Sequence, residues 1–178
     1  MFPLIFPALR TDNIVLRKIR SSDQFAVFQG LSDVQVIKHY GVEYHSYADT
    51  RAQLDWFDLQ LRTKTGIWWG ITTQEIGTLI GTCGLYNLQE VHRKAELGYW
   101  LMPSYWRQGI MRQVLTTILH YGFQEMQLHR IEAYVETENQ ASFSLLQQLG
   151  FHHEGTLQDY EFKKDRFISL HVLALLQK

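Results

Sequence analysis

The chain has 178 residues, 46% hydrophobic and 20% charged, which is the balance of a folded globular protein and not of a disordered one. Its formal net charge is −1 at neutral pH, so no overall basic field draws it to nucleic acid or to an anionic membrane. The length suits one domain over residues 1–178, and the single cysteine, Cys83, excludes an intramolecular disulfide and favours a cytoplasmic setting.

The opening MFPLIFPALR is apolar but short, lacks a basic leader and is broken by Pro3 and Pro7. It reads as an ordered extension rather than a signal peptide. NIVLRKI (13–19) alternates as a first strand should, and SSDQFAVFQGL then opens a helix with Ser21 as its N-cap and Gln24 three residues on. A second helix is expected over about 49–62, started by Ser46 or Asp49, with Leu54, Phe57 and Leu61 at helical spacing. IWWGITT, a turn at QEIG and TLIGTCGLYNL then read as a β-hairpin. Within it Cys83 reads as a small buried hydrophobe. Trp68, Trp69 and Tyr86 are either core or the lining of a cleft.

AELGYWLM (95–102) is a strand that stops at Pro103. The helix after it places Ile110, Val114, Leu115, Ile118 and Leu119 on one face. RIEAYVET (130–137) is a strand, QASFSLLQQLG a short helix stopped by Gly150, and the remainder a strand pair around KKDR. The strand–helix–strand passage from Ala95 predicts a crossover with locally parallel strands, flanked by antiparallel hairpins. The expected fold is mixed α/β: a central sheet of about seven strands with helices on both faces. No run approaches a membrane span, and the eight histidines show no metal-ligand spacing.

The stretch PSYWRQGIMRQVL (103–115) carries the chemistry. A loop leads into a helix near Gly109, whose first amides lack partners within the helix and add partial positive charge. Such an end favours phosphate. Gly109 admits close backbone approach, and Arg107 and Arg112 add cationic donors.

Several motifs, in order and at matching spacing, are Glu96-Leu97-Gly98-Tyr99-Trp100, Tyr105-Trp106-Arg107-Gln108-Gly109-Ile110-Met111, Asn139-Gln140-Ala141-Ser142, and Leu149-Gly150-Phe151 followed by Glu154-Gly155. Over roughly residues 9–176 the chain resembles the GNAT superfamily of N-acetyltransferases, most of all the ribosomal-protein N-terminal (alanine) acetyltransferase branch. Two positions depart from the family pattern. Met111 replaces the small residue that ends the phosphate signature, and Leu146 stands where many members carry a tyrosine. The resemblance implies the GNAT fold, acetyl-CoA as cosubstrate and no metal. It implies a pyrophosphate site over Arg107, Gln108, Gly109, Ile110, Met111 and Arg112. Backbone amides of Trp100 and Leu101 then hold the pantetheine arm and polarise the thioester, and Asn139 hydrogen-bonds that arm unless it only serves turn chemistry.

An amine attacks a thioester only when unprotonated, and free amines have pKa values from about 8 to about 10.4. A carboxylate can take the proton. Glu96 is the candidate base, or else one half of a pair with Arg or Lys. Ser142 is the candidate donor to the leaving thiolate, or else a helix cap. The implied acceptor is a primary amine such as the N-terminus of a ribosomal or other protein. A polyamine or aminoglycoside acceptor stands as the alternative within the enzyme class, and a non-catalytic acyl-CoA sensor as the alternative outside it. Neither nucleic acid nor membrane is expected as a partner, and a homodimer is left open.

Overall fold

The computed structural model describes residues 2–3, 5–73 and 77–177. Among these, eight strands form one mixed sheet with four α-helices packed on it. β1 (Leu9–Arg10) and β2 (Ile14–Lys18) precede a 3-10 turn at Ser21–Asp23 and the helices α1 (Gln24–Ser32) and α2 (Arg51–Thr63). β3 (Ile67–Thr73), β4 (Leu79–Gln89) and β5 (Lys94–Leu101) then follow, each antiparallel to the one before it. α3 (Ile110–Gln124) crosses to β6 (Arg130–Glu136), which lies parallel to β5, and α4 (Gln140–Gln148) leads to the hairpin β7 (His152–Lys163) and β8 (Arg166–Leu176). The sheet order is β1-β2-β3-β4-β5-β6-β8-β7.

The eighth strand is β1, whose two residues are too few to leave a periodic signal. The expected cap at Ser21 is not formed. The Asp23 carboxylate takes the Arg20 N–H at 2.7 Å and is gripped at both oxygens by the Arg17 guanidinium, at 2.7 and 2.8 Å. Ser46 accepts the Asp49 N–H in the turn before α2, whose N-cap is Thr50. Of the QEIG turn (74–77), residues 74–76 lie outside the described residues; Gly77 (φ 65°) donates its N–H to Thr73 O at 3.2 Å, and the hairpin is formed. Of the opening segment, Phe2 and Phe6 pack against the core, and Pro7 O accepts the Trp69 indole N–H at 2.8 Å.

Strand alternation assigns every side chain to one of two faces. One face carries α3 and α4, with Val114, Leu115, Ile118 and Leu146 against Trp69, Cys83, Leu97, Ile131 and Leu173. The other carries α1 and α2, with Val27, Leu31, Leu54 and Phe57 against Trp68 and Trp100. Burying each such side chain is worth about 1.5–3 kcal/mol, so both helical layers are held by their own core. Cys83 is fully buried, and burial pushes its thiol well above the usual range, so it is a packing residue. Trp69 lies on the α3 side with the core, whereas Trp68 and Tyr86 lie on the α1–α2 side.

Candidate functional site

β5 and β6 pair at only three positions, Lys94↔Arg130, Ala95↔Ile131 and Glu96↔Glu132. Beyond them β5 stays with β4 as far as Leu101↔Gly81, and β6 stays with β8 as far as Glu136↔Leu170. The sheet therefore splits. Five residues of divergence at ~3.3 Å each open a wedge roughly 16 Å long. Met102 N–H donates to Ile80 O at 2.9 Å. Counting back by twos, Trp100, Gly98 and Glu96 direct their backbone groups to β4, while Leu101 and Tyr99 direct theirs into the wedge. The register thus moves one expected amide donor: Trp100 turns its N–H to Thr82, and Tyr99 takes its place beside Leu101.

The mouth of the wedge is the start of α3. Pro103–Tyr105 forms a 3-10 turn after β5, and Trp106 Nε1–H donates to Leu101 O at 2.7 Å, pinning the loop to the strand end. Gln108 ties back to Ser104 O at 2.8 Å. Arg107 (φ 59°) and Gly109 (φ 74°) are both left-handed, and Gly109 is the N-cap with no side chain to offer. The first amide bonded within the helix is that of Gln113, to Gly109 O. The N–H groups of Ile110, Met111 and Arg112 are left free of the helical ladder. A Cβ built on Gly109 meets nothing within 4 Å. This cradle of three amides, with exposed Arg107 and Arg112 beside it, fits a pyrophosphate. Met111 packs its side chain against the core and leaves the amides clear.

α4 starts at the other lip. Asn139 is its N-cap, and Asn139 Oδ1 accepts the Ser142 N–H at 3.1 Å. Ser142 is therefore the capped residue and not the cap. Its hydroxyl instead meets the Tyr99 hydroxyl at 2.7 Å, joining α4 to β5. Burial pushes the Tyr99 phenol up to about 12, against a smaller opposing effect of the Ser142 bond, so it keeps its proton. Leu146 is fully buried and offers no polar atom.

Glu96 stands at the last β5–β6 pair, on the α1–α2 face. Its bonded partner is neutral. Asn87 Nδ2 donates to Glu96 Oε1 at 2.8 Å, and Tyr86 stands opposite Glu96 in the β4–β5 register. Burial first, and then the Glu96 charge, push the Tyr86 phenol well above its ordinary value, so it remains a donor. Two more carboxylates share this face of β6. Glu132 is held by Arg130 at 2.6 Å and Lys94 at 3.3 Å, and Glu136 by Lys163 at 2.5 Å and His39 Nδ1 at 2.7 Å. Of the three, Glu96 alone has no cation on it among the described residues. The Arg or Lys partner considered from the sequence is not there. Tyr134, 39% exposed, follows Glu132 on the same face.

The structure thus groups Glu96, Leu101, Asn139 and Ser142 around one wedge, with residues 107–112 at its mouth. The sequence reading missed Tyr99, Asn87, Glu132, Glu136 and His39. Only Tyr99 carried a signal, as part of the Gly98-Tyr99-Trp100 motif. Among the described residues no three His, Cys, Asp or Glu side chains gather as metal ligands. His153 and His171 instead meet edge to face with ring centroids 4.7 Å apart, and the Thr156 hydroxyl lies within hydrogen-bond distance of both.

Residues 13–152 match the acetyltransferase (GNAT) domain. The chain is 36% identical over 174 residues to an uncharacterized N-acetyltransferase, YoaA, of Bacillus subtilis (strain 168), covering 97% of this chain and 98% of that one. Its fold superposes with a TM-score of 0.86 on RimL, a ribosomal L7/L12 alpha-N-protein acetyltransferase in complex with coenzyme A, at 20% identity over 96% of this chain and 98% of that one. It superposes with a TM-score of 0.83 on the spermidine N-acetyltransferase of Vibrio cholerae in complex with CoA and spermine, at 23% identity over 94% and 97%.

Proposed function

The chain belongs to the acetyltransferase (GNAT) family and is an N-acetyltransferase, and on that premise we propose that it acetylates the N-terminal amine of a protein, of the ribosomal-protein kind, from acetyl-CoA. The reading rests on one observation above the others. A carboxylate with no cation on it, Glu96, faces one side of the sheet where β5 and β6 part, and an uncapped helix start lies at the mouth of the same wedge.

The amides of Ile110, Met111 and Arg112, with Arg107, Gln108 and Gly109, hold the pyrophosphate. The wedge-facing amides of Tyr99 and Leu101 bind along the pantetheine arm and polarise the thioester carbonyl, and the Asn139 side-chain Nδ2, which has no partner among the described residues, adds a donor. Acetyl-CoA supplies an activated acetyl group. Glu96 takes the proton that an ammonium must lose before it attacks, and Asn87 holds its carboxylate in place. Ser142 donates to the leaving sulfur from the opposite face. Glu132 and Glu136 are paired with cations, so the Glu96 carboxylate is the uncompensated charge on the acceptor side, and it suits a cationic amine.

That the acceptor is a protein N-terminus follows the ribosomal-protein motifs around Trp100 and Ser142. The Glu96 charge equally suits a polyamine, the second reading. An acetyl-transfer screen over peptides with different N-termini, polyamines and aminoglycosides, read by thiol release, decides between them. Turnover confined to peptides supports the proposal, turnover confined to polyamines replaces it, and no transfer to any amine with intact CoA binding points to a sensor.

A further inference from the structure

Ser142 acts only if its hydroxyl hydrogen points into the wedge, and nothing in α4 sets that direction. A serine hydroxyl rotates freely and turns to suit its neighbours. Asn139, the N-cap of α4, accepts the Ser142 backbone N–H and does not bond its hydroxyl. The partner of the hydroxyl comes from 43 residues away in sequence, on the opposite lip: Tyr99 Oη at 2.7 Å.

Two facts give the direction of that bond. A phenol, with an ordinary pKa near 10, is a much stronger acid than an alkyl hydroxyl and so the better donor. Burial pushes the Tyr99 phenol up to about 12, so it keeps its proton, and no charged side chain acts on it. With the phenol donating, the Ser142 oxygen accepts and its own hydrogen is left to aim elsewhere. Tyr99 is also one of the two residues whose amides face the wedge, so its backbone and its side chain serve the same space.

We propose that Tyr99 is a positioning residue: its phenol donates to Ser142 Oγ and turns the Ser142 O–H toward the sulfur of the bound acyl donor. As the carbon–sulfur bond breaks, the Ser142 O–H stabilises the electron pair left on sulfur. The thiolate then takes a proton from water, Tyr99 keeps its own, and the proton lost by the amine leaves through Glu96. This rests on the acetyl-CoA reading of the wedge and adds a residue that the resemblance does not supply.

The test needs no turnover. Coenzyme A is bound to the protein and its thiol titrated through the ultraviolet absorbance of the thiolate. A hydrogen bond to a charged acceptor lowers the pKa of the group, so the bound thiol is expected to titrate about one unit below free coenzyme A. Both Tyr99→Phe and Ser142→Ala should return most of that shift, with coenzyme A affinity from calorimetry within about threefold of wild type. Each variant removes one oxygen or less than one side chain, and circular dichroism checks that each is folded. A shift lost in Ser142→Ala but kept in Tyr99→Phe overturns the role of Tyr99 and leaves Ser142 standing. A bound thiol that titrates as free coenzyme A in the wild type overturns both.

Discussion

Replacing Gly109 by valine separates backbone strain from ligand approach. The φ of 74° costs an L-residue about 1–2 kcal/mol, and β-branching places valine at the upper end. No clash adds to this, because a Cβ at Gly109 meets no atom within 4 Å. For a chain of this length each kcal/mol moves Tm by about 2–4 °C, so Gly109→Val should melt roughly 4–8 °C lower and remain folded at 20 °C. Gly155→Ala is the control. A Cβ there also meets nothing within 4 Å, but its φ is ordinary, so Tm should hardly move. Coenzyme A binding responds to something else. Methyl groups over the cradle deny the pyrophosphate at least one of the three amides, and a hydrogen bond to a charged group is worth about 1.5–3 kcal/mol. Isothermal calorimetry should then show affinity reduced by about 10- to 100-fold. Wild-type affinity in a folded Gly109→Val protein would remove the pyrophosphate from residues 107–112, whatever happens to Tm.

Glu96→Gln should lower turnover most at pH values below the amine pKa, about 8 for an α-amino group; a pH–rate profile unchanged in height and shape would make Glu96 structural. Asn139→Ala, which removes the α4 cap, should cost about 1 kcal/mol in urea unfolding, whereas Ser142→Ala should leave stability nearly intact and cut turnover about tenfold. The opposite assignment of losses would restore Ser142 as the cap. His171 has its pKa lowered by burial and then by His153. The folded chain holds that proton less well than the unfolded one, so this contribution to stability is present above the ordinary pKa near 6.5 and is lost as pH falls below it. His171→Gln should flatten the loss of Tm between pH 7 and 5, and an unchanged slope would assign the acid sensitivity elsewhere.

Most of the fold was legible because hydrophobic periodicity survives in the long elements. Val114, Leu115, Ile118 and Leu119 could face only one way on α3. The reading failed where the deciding contact was tertiary. Ser21 looked like a cap until Arg17, arriving from β2, fixed the Asp23 carboxylate over the Arg20 amide. The site divides in the same manner. The start of α3 was readable from Pro103 and Gly109, since both act through the local backbone. The expected amide at Trp100 was one residue off, because only the pairing of β5 with β4 tells which amides are already taken. Glu96 was readable as a carboxylate on a strand, but its bonded partner Asn87 and its neighbour Tyr86 belong to β4 and follow from register alone.

The same geometry says where acceptor choice must reside. The proposed acyl-donor side is built from β5, α3 and α4, and its opposite face is closed by Trp68 and Trp100 beneath α1 and α2. Trp68 lies so close over Gly98 that a Cβ there would stand 2.6 Å from its ring, which leaves no room for an acceptor at that point. The way to Glu96 on this face is therefore toward β6, past Tyr134. That approach is bordered by the loop between α1 and α2, tied to the β7–β8 hairpin by Lys163 to Lys38 O at 3.1 Å, by Lys163 and His39 on Glu136, and by Lys164 with Glu43 at 3.3 Å. None of these bonds involves residues 107–112. The hairpin and the loop can thus change without disturbing the cradle for the pyrophosphate, and a change there should alter which amine is accepted before it alters how coenzyme A binds.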